Sequence, residues 1–239
     1  MEIQIAPDAQ TAAKQAAQTL GQQFEQHKNK SILFLVSAGS ALTILDQLDA
    51  SLLDARVTIG VADERYSRDP NINNFAQISR LGFFKKAKEQ NVGIIDTLPT
   101  QGEVLEAFAD RYEQALKNWR AKHLEGVIIA TAGIGLDGHM LGVMPYPRDP
   151  EYFRQTFDAT DRWVVGYNAV GKNQYPLRAT TTLAFARRID QSIFLVVGQQ
   201  KREALVRTLA EEGSLAETPA RIIHEMQHVF LFTDQNVSV

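Results

Sequence analysis

Short apolar runs rich in β-branched and aromatic residues punctuate the chain, and between them lie longer stretches in which apolar positions recur at helical spacing. The runs at 31–37 (SILFLVS), 57–62 (VTIGVA), 126–131 (GVIIAT), 162–167 (RWVVGY), 192–197 (SIFLVV) and 228–232 (HVFLF) predict strands buried on both faces. Three stretches predict helices. Residues 8–27 are rich in Ala and Gln with no Gly or Pro before Gly21, residues 102–121 carry Val104, Leu105, Phe108, Tyr112 and Leu116 on one helical face, and residues 201–212 follow a strand directly. Strands and helices in alternation imply an α/β fold, a Rossmann-like, mostly parallel sheet flanked by helices on both faces. No repeat, low-complexity tract or Gly/Ser-rich linker marks a boundary, so residues 1–239 are expected to form a single domain.

Composition narrows the range of partners. Twenty-eight acidic residues against twenty-five basic ones leave a net charge of −3, which offers no electrostatic footprint for nucleic acid. The absence of cysteine excludes disulfides, thiolate metal sites, iron–sulfur clusters and a cysteine nucleophile. No apolar run approaches the ~20 residues of a membrane span, and Met1-Glu2-Ile3-Gln4 does not open a secretory leader, so a cytoplasmic protein without a membrane partner is expected. Of the histidines, only His224 and His228 stand four apart, in a stretch that turns into the last strand; no metal and no cofactor are expected. A small-molecule ligand remains, bound by a monomer or small homo-oligomer.

In open α/β sheets ligands bind beyond the carboxyl ends of the strands, and three of the loops there are unusual. Ser37-Ala38-Gly39-Ser40-Ala41 leads into a helix expected near Ala41, where small residues let backbone N–H groups approach an anion, though a plain turn capped by Ser40 would read the same. It is not a Walker loop, since no Gly-Lys-Ser/Thr triplet occurs. Asp63-Glu64-Arg65 follows VTIGVA and sets two carboxylates beside a guanidinium, a set suited to acid–base work or to phosphate recognition, or simply to solvation. The third loop, Gly133-Ile134-Gly135-Leu136-Asp137-Gly138-His139, formally contains the dinucleotide pattern G-x-G-x-x-G. That reading fails because Asp137 would face a pyrophosphate, Pro145 and Pro147 cut short the required helix, and Asn168 stands where a ribose-binding acid belongs. The glycines instead permit a sharply turning loop that presents Asp137 and His139 two residues apart.

These loops, in this order, resemble those of the 6-phosphogluconolactonase and glucosamine-6-phosphate isomerase/deaminase superfamily. The resemblance is carried by Ser37 to Leu42, by Asp63 to Arg65 with Asn74, and most specifically by Gly133 to His139. It continues through Lys172, Pro176 and Arg178 ahead of Ala179-Thr180-Thr181-Thr182-Leu183, and through Phe194 to Gly198 with Lys201 and Leu205, covering most of the chain. The deaminase branch is expected to carry a glutamate five positions beyond the loop histidine and an aromatic residue after Asp-Glu. Met144 and Arg65 occupy those positions here, as in the lactonase branch. The chain departs from the family where Gly-Gly-Ser-Thr-Pro is Ala38-Gly39-Ser40-Ala41-Leu42, at Met140 in place of Thr, and where Lys-Pro-Pro is loosened to Lys172-Asn173-Gln174-Tyr175-Pro176.

The resemblance implies hydrolysis of 6-phospho-D-glucono-1,5-lactone to 6-phosphogluconate, the lactone-opening step of the oxidative pentose phosphate pathway, with a sugar phosphate as the partner. His139 is then the general base that returns the proton as acid, imidazole being the side chain suited to exchange protons near neutral pH. Asp63 or Asp137 orients it. Backbone N–H groups of the loop containing Gly133, Gly135 and Gly138 are candidate oxyanion donors, and Gly39, Ser40, Arg65, Arg178, Lys201 and Lys172 are candidate phosphate ligands. Two alternatives stay open, an isomerase/deaminase of an amino-sugar phosphate and a non-catalytic sugar-phosphate-binding protein on the same fold.

Overall fold

A computed structural model describes residues 1–237. Its strands are β1 (Glu2–Ile5), β2 (Ile32–Val36), β3 (Val57–Val61), β4 (Asp63–Arg65), β5 (Gly93–Ile94), β6 (Val127–Ala132), β7 (Val164–Asn168), β8 (Leu177–Thr181), β9 (Gln191–Val196) and β10 (His228–Thr233). Its α-helices are α1 (Ala9–Gln26), α2 (Leu42–Gln47), α3 (Asn74–Ile78), α4 (Gly82–Glu89), α5 (Leu105–Lys122), α6 (Pro150–Phe153), α7 (Leu183–Ala186) and α8 (Arg202–Leu209). Seven strands pair in the order β1-β10-β9-β6-β2-β3-β5, every neighbour parallel.

The continuous apolar runs make the middle of this sheet. Every residue of β2 and β6 is buried, as parallel strands covered by helices on both faces require. Helix α1 begins where the Asp8 carboxylate accepts the Thr11 N–H at 2.7 Å, and it buries Ala12, Ala16, Leu20 and Phe24 along one face. One contiguous apolar core runs through the molecule, a single α/β domain with helices flanking a mostly parallel sheet. Among the described residues no helix is long and apolar enough to cross a membrane.

The sequence pattern misplaces one strand. RWVVGY is not part of the parallel sheet: β7 pairs antiparallel with β8, and β8 pairs antiparallel with β4, in a separate three-stranded sheet. Val164 and Tyr167 are buried and Val165 and Gly166 partly exposed, so β7 is less enclosed than the central strands of the parallel sheet. Asp63-Glu64-Arg65, read as a loop, is the edge strand of this second sheet. Three charged residues have poor strand propensity, and the pairing of Asp63 with Thr180 and of Arg65 with Arg178 overrides it.

A single residue, Ala62, joins the two sheets. Its N–H donates to Val36 O at 2.9 Å, and its carbonyl accepts from Thr181 N at 3.2 Å and Thr181 Oγ1 at 3.0 Å. The functional cleft opens at this junction.

Candidate active site

Beyond the carboxyl ends of β2, β3, β6 and β9 lies a cleft of about 300 Å³, lined among others by Gly39, Ser40, Asp63, Arg65, Asn74, Gly133, His139, Arg178 and Lys201. Three separate loops and both sheets contribute, as the parallel topology dictates.

The Gly-rich loop after β6 folds back on itself. Gly135 N donates to His139 O at 2.8 Å and Gly138 N to Gly135 O at 3.0 Å, so neither amide is free to hold an oxyanion. Gly133 borders the side of the cleft that holds Ser40 and Lys201, with Ser40 Oγ 3.3 Å and Lys201 Nζ 3.9 Å from where its Cβ would stand. At Gly135 a Cβ would collide with the His139 ring, so only glycine lets the imidazole pack there. No helix follows Gly138 before α6, which removes the helix N-terminus that a dinucleotide pyrophosphate needs.

His139 Nδ1 lies 2.6 Å from Asp137 Oδ1, and His139 N donates to the same oxygen at 3.1 Å. Burial works to raise the Asp137 carboxyl, but the hydrogen bonds and charge of His139 outweigh it and hold the group below the ordinary carboxylate value. An ionised carboxylate at Nδ1 fixes the proton there and leaves Nε2 with its lone pair. Of the two aspartates, Asp137 is the one in contact with His139, and Asp63 is engaged elsewhere. Its carboxylate forms an ion pair with Arg178, both side chains being over nine-tenths buried, and its carbonyl accepts from Asn74 Nδ2 at 2.9 Å.

The turn after His139 is held under strain. Leu141 is a non-glycine residue at φ +47°, and the next residue, Gly142, at φ +77°, packs so closely on Asp63 that a Cβ would collide with it. The Thr180 hydroxyl donates to Leu141 O and the Tyr167 hydroxyl to Gly142 O, tying this turn to β8 and β7. Nothing in the sequence pattern announces these two side chains, which act through tertiary contacts alone.

On the opposite side Lys201 Nζ donates to Ser40 Oγ at 2.9 Å, and burial lowers the lysine's pKa. Ser40 is therefore the lysine's partner and not a helix cap; the residue preceding α2 is Ala41, which makes no side-chain cap. Arg65 carries no acidic partner among the described residues, and its guanidinium lies 5.0 Å from the Tyr175 ring centroid. Arg65 Nε, Arg178 Nε, Ser37 Oγ and Asn74 Oδ1 line the cleft, or border it, as buried atoms with no protein hydrogen-bond partner. Lys172 is the expected ligand that the structure does not bring in. It is exposed, and its ammonium stands 4.2 Å from the Tyr146 ring centroid, because the loosened 172–176 segment carries it over the aromatic cluster.

Glu64, whose role was not legible, is fully buried beneath the cleft. Its carboxylate accepts from Arg65 N at 2.7 Å, Asn74 N at 2.6 Å, Phe75 N at 3.0 Å and Thr97 Oγ1 at 2.9 Å, which fixes Asn74 at the start of α3 against Asp63. Burial nevertheless pushes its pKa up to about 7.

A family model described as glucosamine-6-phosphate isomerases/6-phosphogluconolactonase matches residues 7–232. The chain is 26% identical over 176 residues to a 6-phosphogluconolactonase of Synechocystis sp., an alignment spanning 72% of this chain and 68% of that protein. Its fold is similar to a 6-phosphogluconolactonase from Shewanella baltica, with TM-score 0.76 and 18% identity over 98% of this chain and 96% of the other. It is also similar to those from Trypanosoma brucei (TM-score 0.75, 17% identity, 97% and 95% covered) and Thermotoga maritima (TM-score 0.72, 22% identity, 97% and 98% covered).

Proposed function

Because the chain belongs to the glucosamine-6-phosphate isomerase/6-phosphogluconolactonase family, we propose that it hydrolyses a phosphorylated sugar δ-lactone, 6-phosphoglucono-1,5-lactone, to the open acid. The observation that carries this reading is the His139–Asp137 pair, 2.6 Å apart, at the edge of a cleft whose other side offers two cations without carboxylate partners, Arg65 and Lys201. Phosphate suits those cations: Arg65 can fork onto its oxygens, and a desolvated ammonium gains most from an anion.

In the proposed reaction His139 Nε2 takes a proton from a water as its oxygen attacks the C1 carbonyl. The tetrahedral intermediate collapses with cleavage of the C1–ring oxygen bond, and the imidazolium returns the proton to that oxygen. Asp137 stabilises the imidazolium while it exists. With the Gly135 and Gly138 amides committed to the loop, Gly133 is the remaining candidate of the three glycines to receive the oxyanion. Arg65, Lys201 and Ser40 hold the phosphate and thereby place the lactone carbonyl near His139, with Gly39 leaving room for close approach. Arg178 serves the cleft through Asp63, since its charge is already matched. The isomerase/deaminase alternative finds no support at position 144, where the buried Met144 offers no carboxylate.

The test is hydrolysis of freshly generated 6-phosphogluconolactone, above its spontaneous rate, by the intact protein and by His139→Ala. Loss of about 10²–10⁴-fold in kcat, with binding of 6-phosphogluconate retained, is expected. Tight binding of 6-phosphogluconate without any acceleration by the intact protein would replace this reading with that of a sugar-phosphate-binding protein.

A further inference from the structure

Arg65 stands on a boundary. It lines the cleft on one side and, on the other, a second cavity of about 210 Å³ formed by Tyr66, Ser67, Ile72, Tyr175, Pro176 and Leu177. Its backbone is fixed by Glu64 and by pairing with Arg178, but its side chain is not: Nε has no hydrogen-bond partner, and no carboxylate balances the charge among the described residues. The directional contact left to the guanidinium is the face of Tyr175, 5.0 Å from its carbon to the ring centroid. A flexible side chain with a cavity open on each side has two places to go, and the aromatic face decides between them.

Tyr175 is itself held. Its N–H donates to Asn173 Oδ1 at 3.0 Å, Pro176 O accepts from Ala169 N at 2.7 Å, and the far end of the loop is fastened by Lys172 on the Tyr146 ring. The backbone that carries the ring is thus fixed on both sides.

We propose that Tyr175 is a positioning residue for Arg65: its ring, which belongs to the second cavity, backs the guanidinium from that side, holds it at the boundary within reach of the cleft and so sets affinity for the charged end of the substrate, without touching the reacting carbonyl. The inference rests on the reading of the cleft as a site for a phosphorylated sugar acid. It makes this tyrosine a determinant of selection for phosphorylated over unphosphorylated lactones.

The experiment is a double-mutant cycle in the full chain with Tyr175→Leu, Tyr175→Phe, Arg65→Ala and Arg65→Ala/Tyr175→Leu. It is read by kcat and KM on 6-phosphogluconolactone and on unphosphorylated glucono-1,5-lactone, and by calorimetric affinity for 6-phosphogluconate. Tyr175→Leu is expected to raise KM for the phosphorylated lactone about tenfold and leave kcat within about twofold. Tyr175→Phe, which keeps the ring, should restore it. Neither should change turnover of the unphosphorylated lactone, and Tyr175→Leu should add nothing once Arg65 is alanine. A Tyr175→Leu effect that persists in the Arg65→Ala background, or that falls equally on both lactones through kcat, overturns the proposal. If the intact protein hydrolyses neither lactone, the functional reading falls, and the cycle is then decided by 6-phosphogluconate affinity. Tenfold weaker binding that depends on Arg65 upholds Tyr175, and unchanged affinity overturns it. Absence of 6-phosphogluconate binding by the intact protein overturns both.

Discussion

Two carboxylates at the same cleft are each paired with a nitrogen base, and the two pairs are built to opposite specifications. Asp63 and Arg178 are sealed, with side chains only 8% and 6% exposed, whereas Asp137 and His139 keep 42% and 34% of theirs in contact with solvent. In the sealed pair neither charge can be released without leaving the other buried and uncompensated, so the pair behaves as a structural rivet between β4 and β8. In the open pair both partners stay within reach of solvent and substrate, and on the proposed reading the same kind of contact serves as working chemistry. Burial, more than the identity of the carboxylate, separates the two roles.

The sharpest way to break this comparison is to neutralise each carboxylate in turn. Asp137→Asn is expected to lower kcat by about 10²–10⁴-fold while moving the unfolding free energy by less than about 1 kcal/mol, since the pair is half-exposed. Steady-state kinetics alongside urea unfolding checks both halves. Asp63→Asn should do the reverse first, with about 3–5 kcal/mol lost from the unfolding free energy because the Arg178 guanidinium is left buried without its counter-charge. A Asp63→Asn variant as stable as the parent would remove the distinction between rivet and working pair.

Glu64 refines the comparison, being a buried carboxylate held by four neutral donors and no cation. With a folded pKa of about 7 against an ordinary 4.5, the folded chain keeps a proton that the unfolded chain has already released between those values. Stability therefore falls as pH rises through that window, by about 1.4 kcal/mol per unit, and levels off above it. Glu64→Gln does not titrate, so the gap in unfolding free energy between parent and variant should shift against the parent by about 1.5 kcal/mol between about pH 5.5 and about pH 7. Urea unfolding at both pH values measures it. A constant gap would mean that the four donors keep Glu64 ionised throughout.

What could be read from the sequence, and what could not, follows the same physical line. The runs SILFLVS, GVIIAT, SIFLVV and HVFLF announce themselves because strands covered on both faces must be apolar at every position. Helix α1 is legible to within a residue at each end because its Asp8 cap and alanine-rich face are local signals. Helix α8 ends at Leu209, short of the expected 212, because Arg221 reaches across to the carbonyls of Arg207, Ala210 and Glu211, a tertiary event without a local signature. The second sheet was hidden for a related reason: β4 is made of three charged residues whose strand conformation comes from β8, more than a hundred positions away. At the cleft, the loops and their candidate residues could be placed by topology alone. Which carboxylate meets which cation could not, since Asp63 and Arg178 are brought together only by the antiparallel register, and neither the strained Leu141 turn nor the Arg65–Tyr175 contact leaves a trace in residue spacing.

The single-residue joint at Ala62 has a geometric corollary. With its amide bound into one sheet and its carbonyl into the other, the joint has no rotational slack, and one residue advances the chain by only ~3.8 Å. On the proposed reading, Arg65 on β4 is therefore set at a fixed span from the loops of the parallel sheet that carry His139, Ser40 and Lys201, like one jaw of a locked caliper. Such an instrument gauges length: a phosphorylated lactone one carbon shorter would be gripped at one end and miss at the other, and the protein would reject it by span before any chemistry began.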